Sequence, residues 1–377
     1  MNKFMEKDLV GIIVGGGPAP GINGVIGAAT IDAINHGKKV VGIVGGFKSL
    51  FEGNKEAIIP LTIERVSRIH TAGGSILRTS RDKPDNAQSK FKHLLNTLKQ
   101  SGIKYLITIG GDGTLYMANW IEREARGLIS IVHTPKTIDN DILYVYKTFG
   151  FDTAVQAARE VLTAAHNEAE GAPNGVGLVK LMGRDSGFIA CHATLASMVV
   201  NFCLIPEAPF VLDGPGGLLE LLEKRLARRD HAVIAVAEGA GLDLVESGEI
   251  LRDKSGNIAY SQMSKDIGAF LRDRIKEHFK GRGREVNVKY IDPSYVIRSV
   301  PAEAGDALFC NDLGRAAVHA AMAGKTDMVV GLWHNVLTHV PLAVVTRGKK
   351  KVPLESSLWN SVLSATGQPG KIGAETR

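Results

Sequence analysis

The sequence predicts an α/β protein with two three-layer domains, each on a mostly parallel sheet. Two observations carry this. Short apolar runs alternate with stretches of helical period along nearly the whole chain, and several of those runs end in glycine- and aspartate-rich turns. Such domains are Rossmann-like: helices cover both sheet faces, and ligands bind at the carboxyl ends of the strands. A chain of 377 residues, 44% of them hydrophobic, is long enough to bury two cores.

LVGIIV (9–14) is the first buried strand, and INGVIGAATIDAINHG (22–37) is the helix after it, closed by Gly37. KVVGIV (39–44), YLITIG (105–110) and ISIVHT (129–134) repeat the strand signature. Between the last two, TLYMANWIEREARG (114–127) has helical period and ends in basic residues and glycine. A long helix, DTAVQAAREVLTAAHNEAE (152–170), leads into a second series. There GVGLVKLM (175–182), FCLIPE (202–207) and AVIAVAEG (232–239) read as strands, and GLLELLEKRLARR (217–229) and SQMSKDIGAFLRDRIKEHF (261–279) as helices. No Pro/Ser-rich linker separates the halves, so two closely packed domains with a cleft between them are expected. TGQPGKIGAETR (366–377) reads as a frayed tail.

Composition narrows the function. The 43 glycines are about 11% of the chain against an average near 7%, and they cluster after apolar runs rather than in linkers. A net charge of +6 suits phosphorylated metabolites. The short run RGKKK (347–351) reads as a solvated loop, so no nucleic-acid partner is expected. Cys191, Cys203 and Cys310 lack metal or redox spacing and read as reduced, mostly buried thiols. There is no signal-peptide pattern and no apolar stretch of membrane length, so a soluble cytoplasmic protein is expected.

Three loops fall where strands end: GGGPAPGIN (15–23), GGDGT (110–114) and PKTIDND (135–141). Glycines at a strand-to-helix turn let backbone amides approach phosphate oxygens, and the helix start adds a favourable dipole. The first loop alone would equally open a dinucleotide-binding domain, although it lacks clean GxGxxG spacing. In GGDGT, Asp112 places a hard anion among those amides, which makes sense beside phosphate when Mg²⁺ lies between them. Asp139 and Asp141 lie two apart, so extended geometry points both to one side. One carboxylate then holds water or Mg²⁺ while the other accepts a proton from an attacking hydroxyl, with Lys136 and Thr137 meeting a transferring phosphoryl group.

GGPAPGIN, GGSILRTSR, GGDGT, PKTIDND, LMGRDSGFIA, VAEGAG and YIDPSYVIRS together resemble the 6-phosphofructokinase family, in order and over roughly residues 8–335. GGDGT alone also occurs in NAD and lipid kinases. The resemblance implies a glycolytic kinase whose partners are fructose 6-phosphate and a phosphoryl donor, working as a homo-oligomer (tetramer or dimer). It implies a donor domain of residues 1–150 plus about 297–340 and a sugar domain of 151–296 plus about 341–377. Asp139 matches the base on the sugar 1-hydroxyl, Asp112 and Asp141 the acids that serve Mg²⁺, and Thr137 a contact to the transferring group. Arg81 with Gly16, Gly111, Gly113 and Thr114 are donor-binding candidates. Met182, Gly183, Arg184, Glu238, Lys289, Tyr295 and Arg298 fall on the sugar side, with Arg184 also a catalytic candidate and Lys289 reaching a neighbouring subunit's phosphate.

Donor choice departs from a simple match. Pyrophosphate-dependent relatives typically carry Asp where this chain has Gly113, and Lys where it has Lys136; the common bacterial ATP enzymes carry Gly at both. The combination seen here resembles an ATP-dependent group that otherwise looks like the pyrophosphate type. Gly113 leaves room for a nucleotide, so Mg-ATP is the expected donor and pyrophosphate the alternative. Phe47 is a candidate to stack on adenine. Gly175 lies near the place of a bacterial cross-subunit arginine, so bacterial effector control does not carry over. A non-catalytic regulatory subunit would need a broken site, and all three aspartates are in place.

Overall fold

Eleven strands among the described residues fall into two sheets, one in each of two units of the chain. The computed structural model describes residues 8–81, 88–245 and 266–373. Each unit is discontinuous: unit 1 is Met1–Thr153 with Arg298–Lys350, and unit 2 is Ala154–Ile297 with Lys351–Arg377.

Unit 1 holds β1 (Leu9–Val14), β2 (Val40–Ile43), β3 (Ile58–Leu61), β4 (Ile103–Gly110), β5 (Ser130–Pro135), and later β10 (Met328–Trp333) and β11 (Val336–Pro341). Their order across the sheet is β11-β10-β5-β4-β1-β2-β3. The middle is parallel, and both margins end in antiparallel pairs, β2 with β3 and β10 with β11. β1 is buried along its whole length, as a strand covered on both faces must be. Helix Ile22–Asn35 packs closely on helix Ala304–Met322; a Cβ on Gly314 would stand 2.8 Å from the Val25 carbonyl, so only glycine permits that approach.

Unit 2 holds β6 (Gly175–Leu181), β7 (Phe202–Leu204), β8 (His231–Ala237) and β9 (Asn287–Ile291), wholly parallel in the order β7-β8-β6-β9. Its core joins Val176 and Leu178 of β6, Ile234 and Val236 of β8, and Leu271, Ile275 and Phe279 of helix Ile267–Gly281. Of the helix expected over 261–279, residues 261–265 lie outside the described residues, and Asp266 caps the observed start by accepting from the Ala269 amide.

Three expectations are corrected. Through Gly373 the tail is not frayed. The Gln368 amide accepts from Cys203 N at 2.6 Å and donates to Cys203 O at 3.2 Å, so it completes the β7 edge, and Ile372 is buried in the unit 2 core. Phe47 is 3% exposed and packs in the unit 1 core, which removes it from any adenine. The run 347–351 is a solvated loop only in part: Arg347, Gly348 and Lys351 are exposed, but Lys349 bridges to Ile142 in antiparallel fashion and Lys350 is mostly buried. The three cysteines are free and buried, as expected.

Candidate active site

In unit 1 the chain leaves β1 for β2 on one side and reaches β4 on the other, so the topological switch lies between β1 and β4. A ligand crevice opens at the carboxyl end of such a point. β1, β4 and β5 are adjacent and parallel, which sets their three following loops side by side. Gly15 N donates to Ile109 O at 2.9 Å, and Lys136 N to Gly110 O at 2.9 Å, joining the loops directly. Helix Ile22–Asn35 begins at Gly21, which has φ +92° and offers no side-chain cap, so its first amides are left for a ligand or water. Thr114 is buried, with its side chain filling the space that Cβ atoms on Gly15 and Gly110 would need; it packs the two turns together.

Positive charge collects at the first turn. Lys136 is 4% exposed, and its ammonium donates to the Gly17 carbonyl. A Cβ on Gly17 would stand 2.7 Å from Arg81 Nη2, and one on Gly16 3.1 Å from Lys136 Nζ, so the cations lie directly over the glycine backbone. Burial, together with the charges of Arg81 and Arg298, pushes the Lys136 ammonium down to about 7. Ser80 adds a buried hydroxyl with no partner among the described residues next to this turn, its carbonyl accepting from Gly16 N at 2.8 Å. Beneath the second turn, His133 Nε2 lies 2.9 Å from the Gly110 carbonyl, which only accepts. Nε2 therefore carries the proton, and Nδ1 accepts from Thr108 at 2.8 Å. Burial pushes this imidazole down to about 3, so it stays neutral and holds the Gly110 turn.

Asp139 and Asp141 do not lie on one extended segment, which corrects the expectation that alternation points both to one side. Residues 138 and 139 form a turn, and Asn140 takes φ +52°, a left-handed conformation that Asn tolerates. The turn is tied down by Asn140 Oδ1 accepting from Thr148 N at 3.1 Å and by Thr148 Oγ1 donating to Thr137 O at 2.6 Å. Thr137 Oγ1 accepts from Asp139 N and donates to Asp141 Oδ1, each at 3.2 Å, linking three of the expected residues. Asp141 is buried, and Lys349 Nζ lies 3.4 Å from its Oδ2 and 2.8 Å from Asp112 Oδ2. Burial, then the charge of Asp112, raises the Asp141 carboxyl, with Lys349 acting against them. Two carboxylates sharing one cation form a hard-oxygen donor set that fits Mg²⁺. Lys349 and Lys350 are the residues sequence reasoning missed; the basic run was visible, but nothing local says that it folds back onto the loop after β5.

In unit 2 the corresponding edge carries the sugar-side candidates. Met182 follows β6 and is buried. Gly183 has φ +125°, and any Cβ there would collide with the Ser186 carbonyl, so glycine is required. Arg184 Nε lies 3.4 Å from Glu238 Oε1, and Glu238 N donates to Leu181 O at 2.8 Å, bringing the two segments together. Lys289 is not brought to them. It pairs with Gly177 on the edge strand β9, four residues before the end of β6, or roughly 13 Å along the strand. Tyr295 is 76% exposed on the short helix Ser294–Ser299, which also bears Arg298. Lys180 was missed as well: it pairs with Asp266 and, at 2.8 Å, with Asp292, fixing the turn before that helix.

The phosphofructokinase family model matches residues 9–321. An ATP-dependent 6-phosphofructokinase of Borreliella burgdorferi is 44% identical over 367 residues, covering 94% of this chain and 80% of its own. Among solved structures, Pichia pastoris phosphofructokinase in the T-state has TM-score 0.75 at 22% identity; the match covers 97% of this chain but 37% of that one. A pyrophosphate-dependent phosphofructokinase from Nitrosospira multiformis has TM-score 0.76 at 20% identity, covering 98% and 95% of the two chains. At such identities the two structures speak for fold alone. Among the described residues no helix is long and apolar enough to cross a membrane.

Proposed function

Because the chain belongs to the phosphofructokinase family, we propose that it transfers the terminal phosphoryl group of ATP to the 1-hydroxyl of fructose 6-phosphate, giving fructose 1,6-bisphosphate. The observation that carries this reading is the buried Lys136, set with Arg81 over the first glycine turn and within reach of the Arg298 charge. A buried cation pushed down by two more cations is costly unless a polyanion arrives, and the donor's phosphates supply one. Asp112 and Asp141 would hold Mg²⁺, which when bound neutralises donor phosphate charge.

The chain's own residues divide the remaining work. Asp139 accepts the proton of the attacking 1-hydroxyl, and Thr137, already bonded to the Asp139 amide, meets the transferring group. Lys136, charged once the anion is present, stabilises the charge that builds on the phosphoryl oxygens. Met182, Gly183 and Arg184 cover the sugar. Glu238 accepts its hydroxyls, oriented by the Arg184 guanidinium. Tyr295 and Arg298 hold the 6-phosphate, while Lys289 serves a neighbouring subunit in a homo-oligomer.

ATP rather than pyrophosphate is the donor because residue 113 is glycine, and the relative at 44% identity carries an ATP-dependent name. Wild type and Gly113→Asp, each assayed with fructose 6-phosphate and Mg²⁺ plus either donor, test this. Wild type should turn over with ATP and far less with pyrophosphate, and Gly113→Asp should raise the ATP KM sharply. Efficient wild-type turnover with pyrophosphate and little with ATP would reverse the donor, and no turnover with either would remove the reaction.

A further inference from the structure

We propose that Lys349 is a tethered cation that fills the space between the Asp112 and Asp141 carboxylates until a divalent metal displaces it. The inference rests on reading those two carboxylates as the metal site. Its Nζ lies 2.8 Å from one carboxylate oxygen and 3.4 Å from the other, so the two oxygens stand no more than about 6 Å apart. Asp141 is 5% exposed, too buried for water to screen it. Two carboxylates this close, one of them out of solvent, repel unless a cation sits between them.

The backbone around Lys349 is built to deliver that cation. Lys350 N donates to Asp141 O at 2.8 Å, and the Ile142–Lys349 bridge lays the segment antiparallel to the loop that bears Asp141. Lys350 Nζ donates to Asn140 Oδ1 at 3.0 Å, Val145 O at 2.7 Å and Tyr146 O at 2.9 Å, fastening the same loop. Successive side chains of such a segment point to opposite sides. Once Lys350 is fixed into the loop carbonyls, Lys349 is directed to the carboxylates.

The arrangement is a competition. Mg²⁺ needs its oxygens at 2.0–2.1 Å in near-ideal octahedral geometry, which leaves no room for an ammonium on those same oxygens. The Lys349 side chain is 26% exposed and sits on a flexible four-carbon stem, so it has a route out. Before the metal arrives, the lysine holds the two carboxylates together. Its cost is a weaker apparent metal affinity.

Mn²⁺ binding without nucleotide or sugar, read by electron paramagnetic resonance of the free ion on EDTA-treated protein, tests the exchange. Lys349→Met should bind Mn²⁺ roughly tenfold more tightly than wild type, and Lys349→Arg, which keeps the charge, should stay near wild type. Metal-free Lys349→Met should also melt below metal-free wild type and recover more of its Tm when Mn²⁺ is added. Lys349→Gln serves the same purpose if the methionine variant does not fold. An unchanged or weaker Mn²⁺ affinity in the neutral variants, or Mn²⁺ binding that Asp112→Asn leaves untouched, would overturn the proposal. Turnover of wild type with ATP judges the kinase reading separately, since no substrate enters the metal measurement.

Discussion

The first glycine turn of unit 1 and the strand ends of unit 2 treat charge in opposite ways. Around the first glycine turn of unit 1, burial first and then the charges of Arg81 and Arg298 depress the Lys136 ammonium, and the turn carries a surplus of positive charge. At the edge of unit 2, Arg184 faces Glu238, and Lys180 is held by Asp266 and Asp292. Burial would lower the Lys180 ammonium, yet its two partners outweigh that and raise it. A surplus makes sense where the ligand supplies the missing charge, as a polyphosphate does. Internally paired ions suit a ligand that asks for direction more than for charge, as a sugar with many hydroxyls does.

The sharpest way to break this contrast is at the reacting centre. Asp139→Ser should lower kcat by roughly 10²–10⁴ with the fructose 6-phosphate KM little changed, because it removes proton acceptance and leaves the loop tied by Asn140 and Thr148. A near-normal kcat would reduce the unit 1 edge to a binding surface. Arg298 sits on the boundary of the contrast: it belongs to unit 1, where its charge reaches Lys136, yet it is proposed to hold the sugar phosphate. Arg298→Ala should cost about 10- to 150-fold, as a charge-assisted contact of roughly 1.5–3 kcal/mol implies, and the loss should appear in the fructose 6-phosphate KM. Finding it in the ATP KM instead would move Arg298 to the donor.

The smallest expected effect is a pH limb. With the folded Lys136 ammonium near 7, the free enzyme loses that charge as pH rises, so kcat/KM for ATP should fall by up to about tenfold per unit above that point. Lys136→Arg should flatten the limb. Stability should move the other way: between about 7 and 10.5 the unfolded chain binds this proton and the folded one does not, so this group's contribution rises with pH. A limb that persists in Lys136→Arg would belong to another group.

The central strands were legible because burial on both faces leaves unbroken apolar runs, as in LVGIIV and AVIAVA. The margins were not. β11 exposes four of its six residues, so it carries no such run, and β10 meets β5 at only two registered positions. Gln368 and Ile372 read as tail because their partners, Cys203 and Val211, lie more than 150 residues away. At the site, loop chemistry was readable where glycine and aspartate sit together in sequence, as in GGDGT and TIDND. Lys349 escaped because its meaning depends on a fold-back no local pattern encodes, and His133 because a neutral buried imidazole looks like any strand residue. Gly175 shows the reverse case: a Cβ there would collide with the Ala169 carbonyl, so the packing itself excludes the arginine whose absence was noted from sequence.

Unit 1 is closed by a segment that arrives late. β10 pairs with β5 from about 200 residues further along the chain, and helix Ala304–Met322, which packs on helix Ile22–Asn35, comes from the same late segment. At a translation rate of about 5–20 residues per second, the growing chain waits roughly 10–40 s after β5 before β10 leaves the ribosome. Through that interval the β5 edge, with its row of unpaired backbone groups, stands open to any other strand. Helix Ala304–Met322 is also still unmade for most of that time, so the cell holds a nascent unit 1 with an unfinished sheet until the stretch Ala154–Ile297 of unit 2 has been synthesised.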